Sequence, residues 1–307
     1  MIDLDGKRYN TLNAELKRVF GEKVAKISID GGFSCPNRDG KVGFGGCIFC
    51  GEKGAGEFTS ERGIIKDQAS EQVSIIKKKW KTDKFVIYFQ NFTNTYAPIE
   101  KLKSLYEEAL EIPGVVGLAI ATRPDCLDEE VMKYLSELNK RTFLWVELGL
   151  QSIHDKTSRF IRRGYPLEIY DKAISSLKIE NIRIVTHLII GLPYETREEI
   201  IQSIKYVGNT MTWGIKLHSL YIQRDTDLYK YFARNPFRIL NKGEYVEIVT
   251  EGLMYLPKDF IIHRITGDAD KNLLVEPKWS GDKLSVLAQI DSVMKEKDIY
   301  QGQNSIL

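Results

Sequence analysis

The sequence predicts an α/β fold built on a parallel sheet, and three observations carry that prediction. Six apolar runs of strand length recur, at 26–30, 85–90, 117–122, 143–150, 182–190 and 214–222. Amphipathic helical stretches separate them, and the runs are nearly continuously apolar, as in strands covered on both faces. The 307 residues, 43% hydrophobic and 28% charged, suffice to bury such a core. Repeated strand–helix units impose right-handed crossovers, and six of them curl into a partial or complete barrel. Ligands then gather at the carboxyl ends of the strands.

The elements follow in order. IEKLKSLYEEAL (99–110) and LDEEVMKYLSEL (127–138) have helical periodicity, and Asp128, Glu129 and Glu130 place carboxylates in the first turn of the second, where the helix dipole favours them. From about residue 235 the pattern changes to a helix (242–256), a strand (260–266) and a final helix (284–298). No linker-like stretch precedes this part. The expected organisation is therefore a core over 1–234 and an extension over 235–307 packed on it.

Composition excludes some functions. A net charge of +2 names no partner, so a nucleic-acid substrate requires local basic patches. The start, MIDLDGKRYN, has no basic segment followed by an apolar one, and no apolar run approaches membrane-spanning length. The expected location is the cytoplasm, without membrane attachment, where clustered cysteines point to metal before disulfides.

The chemistry-bearing segment is GGFSCPNRDGKVGFGGCIFCGEKGAG (31–56), which follows the first strand. Cys35 and Cys47 are 11 residues apart in the gap and Cys47 and Cys50 two, giving three thiols in one loop. Thiolates favour zinc or iron–sulfur clusters. A structural zinc wants four closed ligands, and closure here needs Cys126 or a distant histidine, of which His154 is the nearest in sequence. Three thiolates on a four-iron cluster instead leave one iron open for a reacting ligand. Gly43, Gly45, Gly46, Gly51, Gly54 and Gly56 permit unusual backbone angles and let amide N–H groups approach cluster sulfurs.

On these residues the sequence resembles the radical S-adenosylmethionine (SAM) superfamily. Within it, the match is to a bacterial subfamily with the signature DGGFSCPNRDG…GGCIFC, related to Elongator-subunit-3-like proteins, which share a widened first cysteine gap. The usual superfamily gap is three residues, so the chain departs from the general pattern. TRPDC (122–126) resembles the TRPD element of Elongator-like enzymes. VELGLQS (146–152) resembles an element also present in the coproporphyrinogen dehydrogenase group. IRRGYP (161–166) and HLIIGLPYET (187–196) follow in the same order.

The resemblance implies a partial (β/α)6 TIM-type barrel, a 4Fe–4S cluster on Cys35, Cys47 and Cys50, and SAM as second cofactor. By position it puts Phe49 against the adenine, Gln151 at the ribose and Arg163 at the carboxylate. Thr122 and His187 become further polar contacts. YFQNFTNTYAP (88–98) replaces the usual glycine-rich stretch, so Gln90, Thr93 and Thr95 are assigned to the methionine end. It implies reductive cleavage of SAM to a 5′-deoxyadenosyl radical, with a flavodoxin or ferredoxin as electron donor. Kinship with Elongator-like enzymes suggests tRNA as substrate, specifically the side chain of a 5-substituted wobble uridine such as carboxymethylaminomethyl-uridine. The alternatives are a small-molecule radical enzyme and a non-catalytic zinc or iron–sulfur binding module.

With four cysteines there is no second three-cysteine set for an auxiliary cluster, and the length leaves no room for the acetyltransferase domain of Elongator-like proteins. Other polar residues have ordinary readings. Glu147 is either a buried carboxylate paired with an arginine or a site residue, and Arg123 either a core ion-pair partner or functional. Cys126 reads as a small packed side chain before a catalytic thiol. His154, His218 and His263 show no metal-ligand spacing. KKKWK (77–81) and Lys278–Trp279 are either solvated structure or phosphate-contact patches. Replacing Cys47 by alanine is expected to abolish both cluster incorporation and SAM cleavage; 5′-deoxyadenosine formation by Cys47→Ala under reducing conditions excludes the assignment.

Overall fold

A computed structural model of the chain describes residues 3, 5–52, 54, 59 and 63–305. In chain order it contains α1 (Leu12–Phe20), β1 (Val24–Ile29), α2 (Ile65–Lys79), β2 (Lys84–Phe89), α3 (Ile99–Leu110), β3 (Val115–Thr122), α4 (Glu129–Arg141), β4 (Phe143–Gln151) and α5 (Asp155–Phe160). These are followed by α6 (Leu167–Ile179), β5 (Arg183–Ile190), α7 (Arg197–Asn209), β6 (Gly214–Ser219), β7 (Ile222–Gln223), α8 (Asp227–Arg234), α9 (Lys242–Tyr255), β8 (Ile261–Arg264), β9 (Leu274–Glu276) and α10 (Lys283–Glu296). Seven strands form one parallel sheet in the order β1-β2-β3-β4-β5-β6-β8, curled into a half-barrel. β7 and β9 form a separate antiparallel pair. No described helix is long and apolar enough to cross a membrane.

Three features differ from the sequence pattern. The run 214–222 is two strands, because Leu220 turns away after its N–H bonds the Ile190 carbonyl and β7 then pairs with β9. The strand expected near 260–266 is β8, and it joins the main sheet beside β6. An N-terminal helix, α1, precedes the first strand. Thr11 caps it by accepting from the Ala14 N–H, and Gly21 ends it with a left-handed φ of 75°.

The two faces of the sheet bury different chemistry. Outward-pointing residues of alternate positions, among them Ile27, Ile29, Ile87, Phe89, Val146 and Leu148, pack under the helices. On the inward face, Val24, Val86, Ala119, Trp145 and Val185 form an apolar layer that α1 closes with Leu16. Thr11 bridges to Ile262 of β8, so the start of α1 is tied to the far edge of the sheet. The amino ends of the strands are thereby plugged, and the carboxyl ends remain for a site.

Leu16 is 3% exposed at this plug. Leu16→Ala is expected to lower unfolding stability by about 2–5 kcal/mol, the usual range for a buried leucine deletion, in a denaturant melt.

Candidate active site at the mouth of the half-barrel

The cysteine loop leaves β1 at its carboxyl end and is held there by contacts with later parts of the chain. The Ile48 N–H bonds the Ile161 carbonyl at 3.1 Å, and the Leu228 N–H bonds the Ile48 carbonyl at 2.7 Å. Asn37 donates to the Arg162 carbonyl and lies 3.5 Å from the Cys47 sulfur. The Glu52 N–H reaches Asp225 at 3.1 Å, and the same carboxylate stands so close to Gly51 that a Cβ would collide with it.

The glycine-rich loop spends its N–H groups on itself. Those of Gly43, Gly46 and Gly54 bond the carbonyls of Pro36, Asn37 and Gly51, not sulfur. Gly46 is needed for its left-handed φ of 86°, with the Arg38 side chain packed where a Cβ would stand. Gly56 lies outside the described residues.

Within this loop the three thiols act on one another electrostatically. The Cys47 and Cys50 sulfurs share a hydrogen bond. That bond, helped by the Arg123 guanidinium, Asn37 and Arg38 and opposed by burial, lowers Cys47 to about 7. The same bond, together with burial, raises Cys50, and Cys35 is near enough to raise it further. A thiolate-promoting environment with two guanidiniums beside it fits an anionic iron–sulfur group. Among the described residues no three His, Cys, Asp or Glu side chains are arranged to hold a single metal ion. Cys126 is different: burial and the adjacent Asp125 push its thiol up to about 12, so it stays protonated.

A cavity of about 130 Å³ opens beside Cys50 at the barrel mouth. Phe49, Gln90, Gln151 and His187, all expected cofactor contacts, line it together with Tyr88, Lys216, His218 and Arg264. Gln151 ends β4 with a left-handed φ of 62°, and its side chain lies over Gly149, where a Cβ would stand 2.7 Å from the Gln151 amide nitrogen.

The other four expected contacts lie behind this wall. Arg163 is 1% exposed and donates to the carbonyls of Leu150, Ser152 and Tyr165 at 2.6–3.0 Å. It thereby stitches the loop after β4. Thr122 and Thr95 share a 2.6 Å hydroxyl bond, and Thr95 opens to a separate hollow beside Tyr96, Asp125 and Cys126. Thr93 is buried, its N–H on the Ser34 carbonyl next to Cys35. Arg123 grips Asp125 with two nitrogens, at 2.9 and 2.7 Å, and the Arg163 carbonyl at 2.8 Å.

Beneath the cavity is a charged layer of which the sequence marked Glu147 but not its partners. Glu147 of β4 is fully buried and paired not with an arginine but with Lys216 of β6. It also accepts from Tyr88 at 2.7 Å and Trp145 at 2.9 Å, and His187 Nε2 lies 2.8 Å away. These partners hold the carboxylate ionised against its burial. Burial lowers Lys216 to about 8, and burial plus the Lys216 charge lower His187 to about 4 despite its contact with Glu147, whose charge Lys216 already neutralises. Beyond Glu147, which the sequence already marked as a buried carboxylate or site residue, the signals were the charges of Lys26 and Lys216 in two further apolar runs.

The remaining histidines and basic patches also find their places. His154 bonds the Glu199 carbonyl at 2.9 Å. His263 is wedged against Trp145 and Trp213, and neither ring nitrogen has a hydrogen-bond partner among the described residues. Trp279 bonds the Leu240 carbonyl and packs on Tyr245, while Lys278 bonds the Leu274 carbonyl. KKKWK lies at the end of α2 just before β2 begins, hence at the plugged end opposite the cavity.

Comparison with known proteins settles the family. Residues 36–207 match the radical SAM superfamily. The chain belongs to that superfamily. Residues 212–296 match the radical SAM C-terminal domain. Radical SAM proteins use a 4Fe–4S cluster and SAM. The Bacillus subtilis protein YtqA is 42% identical over 301 residues, covering 97% of this chain and 92% of YtqA. The tRNA uridine(34) acetyltransferase of Methanocaldococcus infernus is 28% identical over 185 residues, 59% of this chain and 33% of that protein. The solved structure of M. infernus Elp3, lacking residues 1–46, superposes with a TM-score of 0.67 at 19% identity, covering 91% of this chain and 64% of that one, and so shares the fold.

His187 generates a pH test. Its folded value, about 4, lies below the ordinary 6.5, so the unfolded chain binds the extra proton between these values. Stability is therefore expected to fall as pH drops from about 6.5 towards 4. His187→Asn is expected to flatten that slope in urea melts taken across the range.

Proposed function

We propose that this radical SAM enzyme holds its 4Fe–4S cluster through Cys35, Cys47 and Cys50 and modifies the side chain of a tRNA wobble uridine. The observation that supports it best is the cavity itself, which joins Cys50 and Phe49 of the cluster loop to polar groups of five strands. When bound, the reduced cluster and SAM supply a 5′-deoxyadenosyl radical able to take a hydrogen atom from the substrate.

In this reading Phe49 stacks on the adenine, and Gln90, Gln151 and His187 offer the polar contacts to SAM from the cavity wall. Arg163, Thr93, Thr95 and Thr122 hold the loops that present those residues. Arg123 and Arg38 favour the thiolate form at Cys47, which a metal ligand needs. A flavodoxin- or ferredoxin-type protein is the electron donor. The apolar layer at Leu16 and Trp145 keeps water from entering through the floor.

The substrate class is supported by likeness to the tRNA uridine(34) acetyltransferase, which covers 59% of this chain and 33% of that longer protein. The test is a mass-spectrometric nucleoside profile of tRNA from cells lacking the gene. A wobble-uridine derivative is expected to disappear while its precursor accumulates. An unchanged profile in a strain without a redundant enzyme turns the assignment to a small-molecule substrate.

A further inference from the structure

The rim of the mouth carries a surface that cofactor binding leaves unused. Beside Phe49, a small apolar core joins Ile48 of the cluster loop to Ile161 after α5, Leu192 after β5 and Leu228 of α8. Over it lie five aromatic rings. Phe160 meets Tyr194 edge-on at 5.4 Å and Tyr231 at 5.1 Å, and the two tyrosine hydroxyls are hydrogen-bonded to each other. Tyr231 continues to Phe237 at 6.5 Å, and Phe237 to Phe232 at 5.0 Å. None of the five lines the cavity beside Cys50.

Two observations mark this surface as one that meets a ligand. Tyr194 has a left-handed backbone, φ 67°, which a bulky side chain rarely adopts, yet the residue is 59% exposed. Burial does not offset that strain, and such strain gathers where a side chain is presented to a ligand. The second observation is charge. From Leu228 to Gly243 the chain has four cations, Lys230, Arg234, Arg238 and Lys242, and no carboxylate. Asp227 pairs with Lys230 and Glu244 with Arg238, whereas Arg234, exposed in the last turn of α8, has no ion pair among the described residues. Arg234 stands three positions from Tyr231, so the two are neighbours on one helix face.

Building on the tRNA reading above, we propose that Tyr194, Tyr231 and Arg234 form a platform for the single-stranded RNA loop that carries the target uridine. An enzyme that acts on a base takes it out of its stack, which leaves the π faces of the flanking bases open. An exposed aromatic ring accepts such a base by stacking, and an unpaired guanidinium accepts a phosphate. The platform lies beside the cavity and not in it, so flanking nucleotides rest on it while the target enters at the mouth. The other cluster of cations around an aromatic ring, KKKWK, lacks these properties. It sits at the plugged end, and the ammonium groups of Lys23 and Lys79 already cover the Trp80 ring, at 4.2 and 5.0 Å.

The test measures binding of a fluorescent anticodon stem–loop RNA to the anaerobic holoenzyme with SAM, by anisotropy over a range of salt. Tyr194→Gly keeps the left-handed turn without strain, and Tyr194→Phe keeps the ring. The first is expected to lose affinity by about tenfold or more, the scale of one base stacked on an aromatic ring, and the second to retain it. Arg234→Gln is expected to flatten the slope of log affinity against log salt by about 0.7, the share of one single-strand phosphate contact. Both Tyr194→Gly and Arg234→Gln are expected to leave RNA-free 5′-deoxyadenosine formation with dithionite unchanged. Undiminished affinity in Tyr194→Gly overturns the platform, as does equal wild-type affinity for a fully paired duplex of the same charge.

Two further outcomes separate the platform from its neighbours in the argument. Defects of these variants that appear only when a flavodoxin replaces dithionite, with RNA affinity intact, assign the rim to the electron donor and overturn the platform. The nucleoside profile of cells lacking the gene then tests the tRNA reading by itself. A lost wobble-uridine derivative, restored by Tyr194→Gly as fully as by the wild type and with stem–loop affinity unchanged, overturns the platform and leaves the tRNA reading standing. An unchanged profile, with stem–loop binding that depends on Tyr194 and Arg234, overturns the wobble-uridine assignment and leaves an RNA platform standing.

Discussion

The structure depends on how a single carboxylate is kept in the middle of a barrel. Glu147 is fully buried, and an isolated charge there is prohibitively costly. Its partners come from four strands: Tyr88 on β2, Trp145 beside it on β4, His187 on β5 and Lys216 on β6. Lys216 Nζ is also 3.1 Å from the Tyr88 hydroxyl. Strands β2 and β6 are four inter-strand spacings apart in the sheet, about 19 Å if it were flat. The contact exists only because the sheet curls, so the ion pair and the half-barrel require each other.

That constraint divides the barrel into zones along its axis. At the amino end α1 supplies Leu16 to an apolar layer that needs no polar partner. One step up, the charged layer sits where water is excluded from below and the cavity opens above. Electrostatic effects are strongest in such a place, since the local dielectric is low and the donors are fixed in advance. The layer contributes less to stability than a well-packed apolar one of the same volume, because each charge must be desolvated. Its Tyr88, His187 and Lys216 face the cavity above.

How much of this was readable from sequence depends on how local each feature is. The cysteine loop is encoded within sixteen residues, from Cys35 to Cys50, and its chemistry follows from residue type and spacing. The six core strands announce themselves because both faces are buried. The run 214–222 misled only where a turn follows Ser219, since Leu220, Tyr221 and Ile222 are as apolar as the strand before them. The charged layer was not legible for a different reason. A lysine inside an apolar run looks the same whether its head reaches solvent or a buried carboxylate sixty-nine positions away, as with Lys216 and Glu147. Arg163 shows the converse. The resemblance gives it an anion-binding role, yet a guanidinium's five donors serve carbonyls equally well, and those of Leu150, Ser152 and Tyr165 engage it in this fold.

The same dependence on distant partners explains why the cysteine loop is more than a motif. Its backbone is pinned by the Ile161 carbonyl after α5 and by the Leu228 N–H at the start of α8. Arg162 and Asp227, joined at 2.7 Å, link those two anchors to each other, and Asp225 closes the loop's far end at Glu52. The guanidinium that helps lower the Cys47 thiol comes from Arg123, after β3, and is itself aimed by Asp125 and the Arg163 carbonyl. Three thiols at the right spacing can bind many metals. The cations and anchors around these three are delivered by the ends of the later strands, so the electrostatic setting of the loop is a property of the folded half-barrel as a whole.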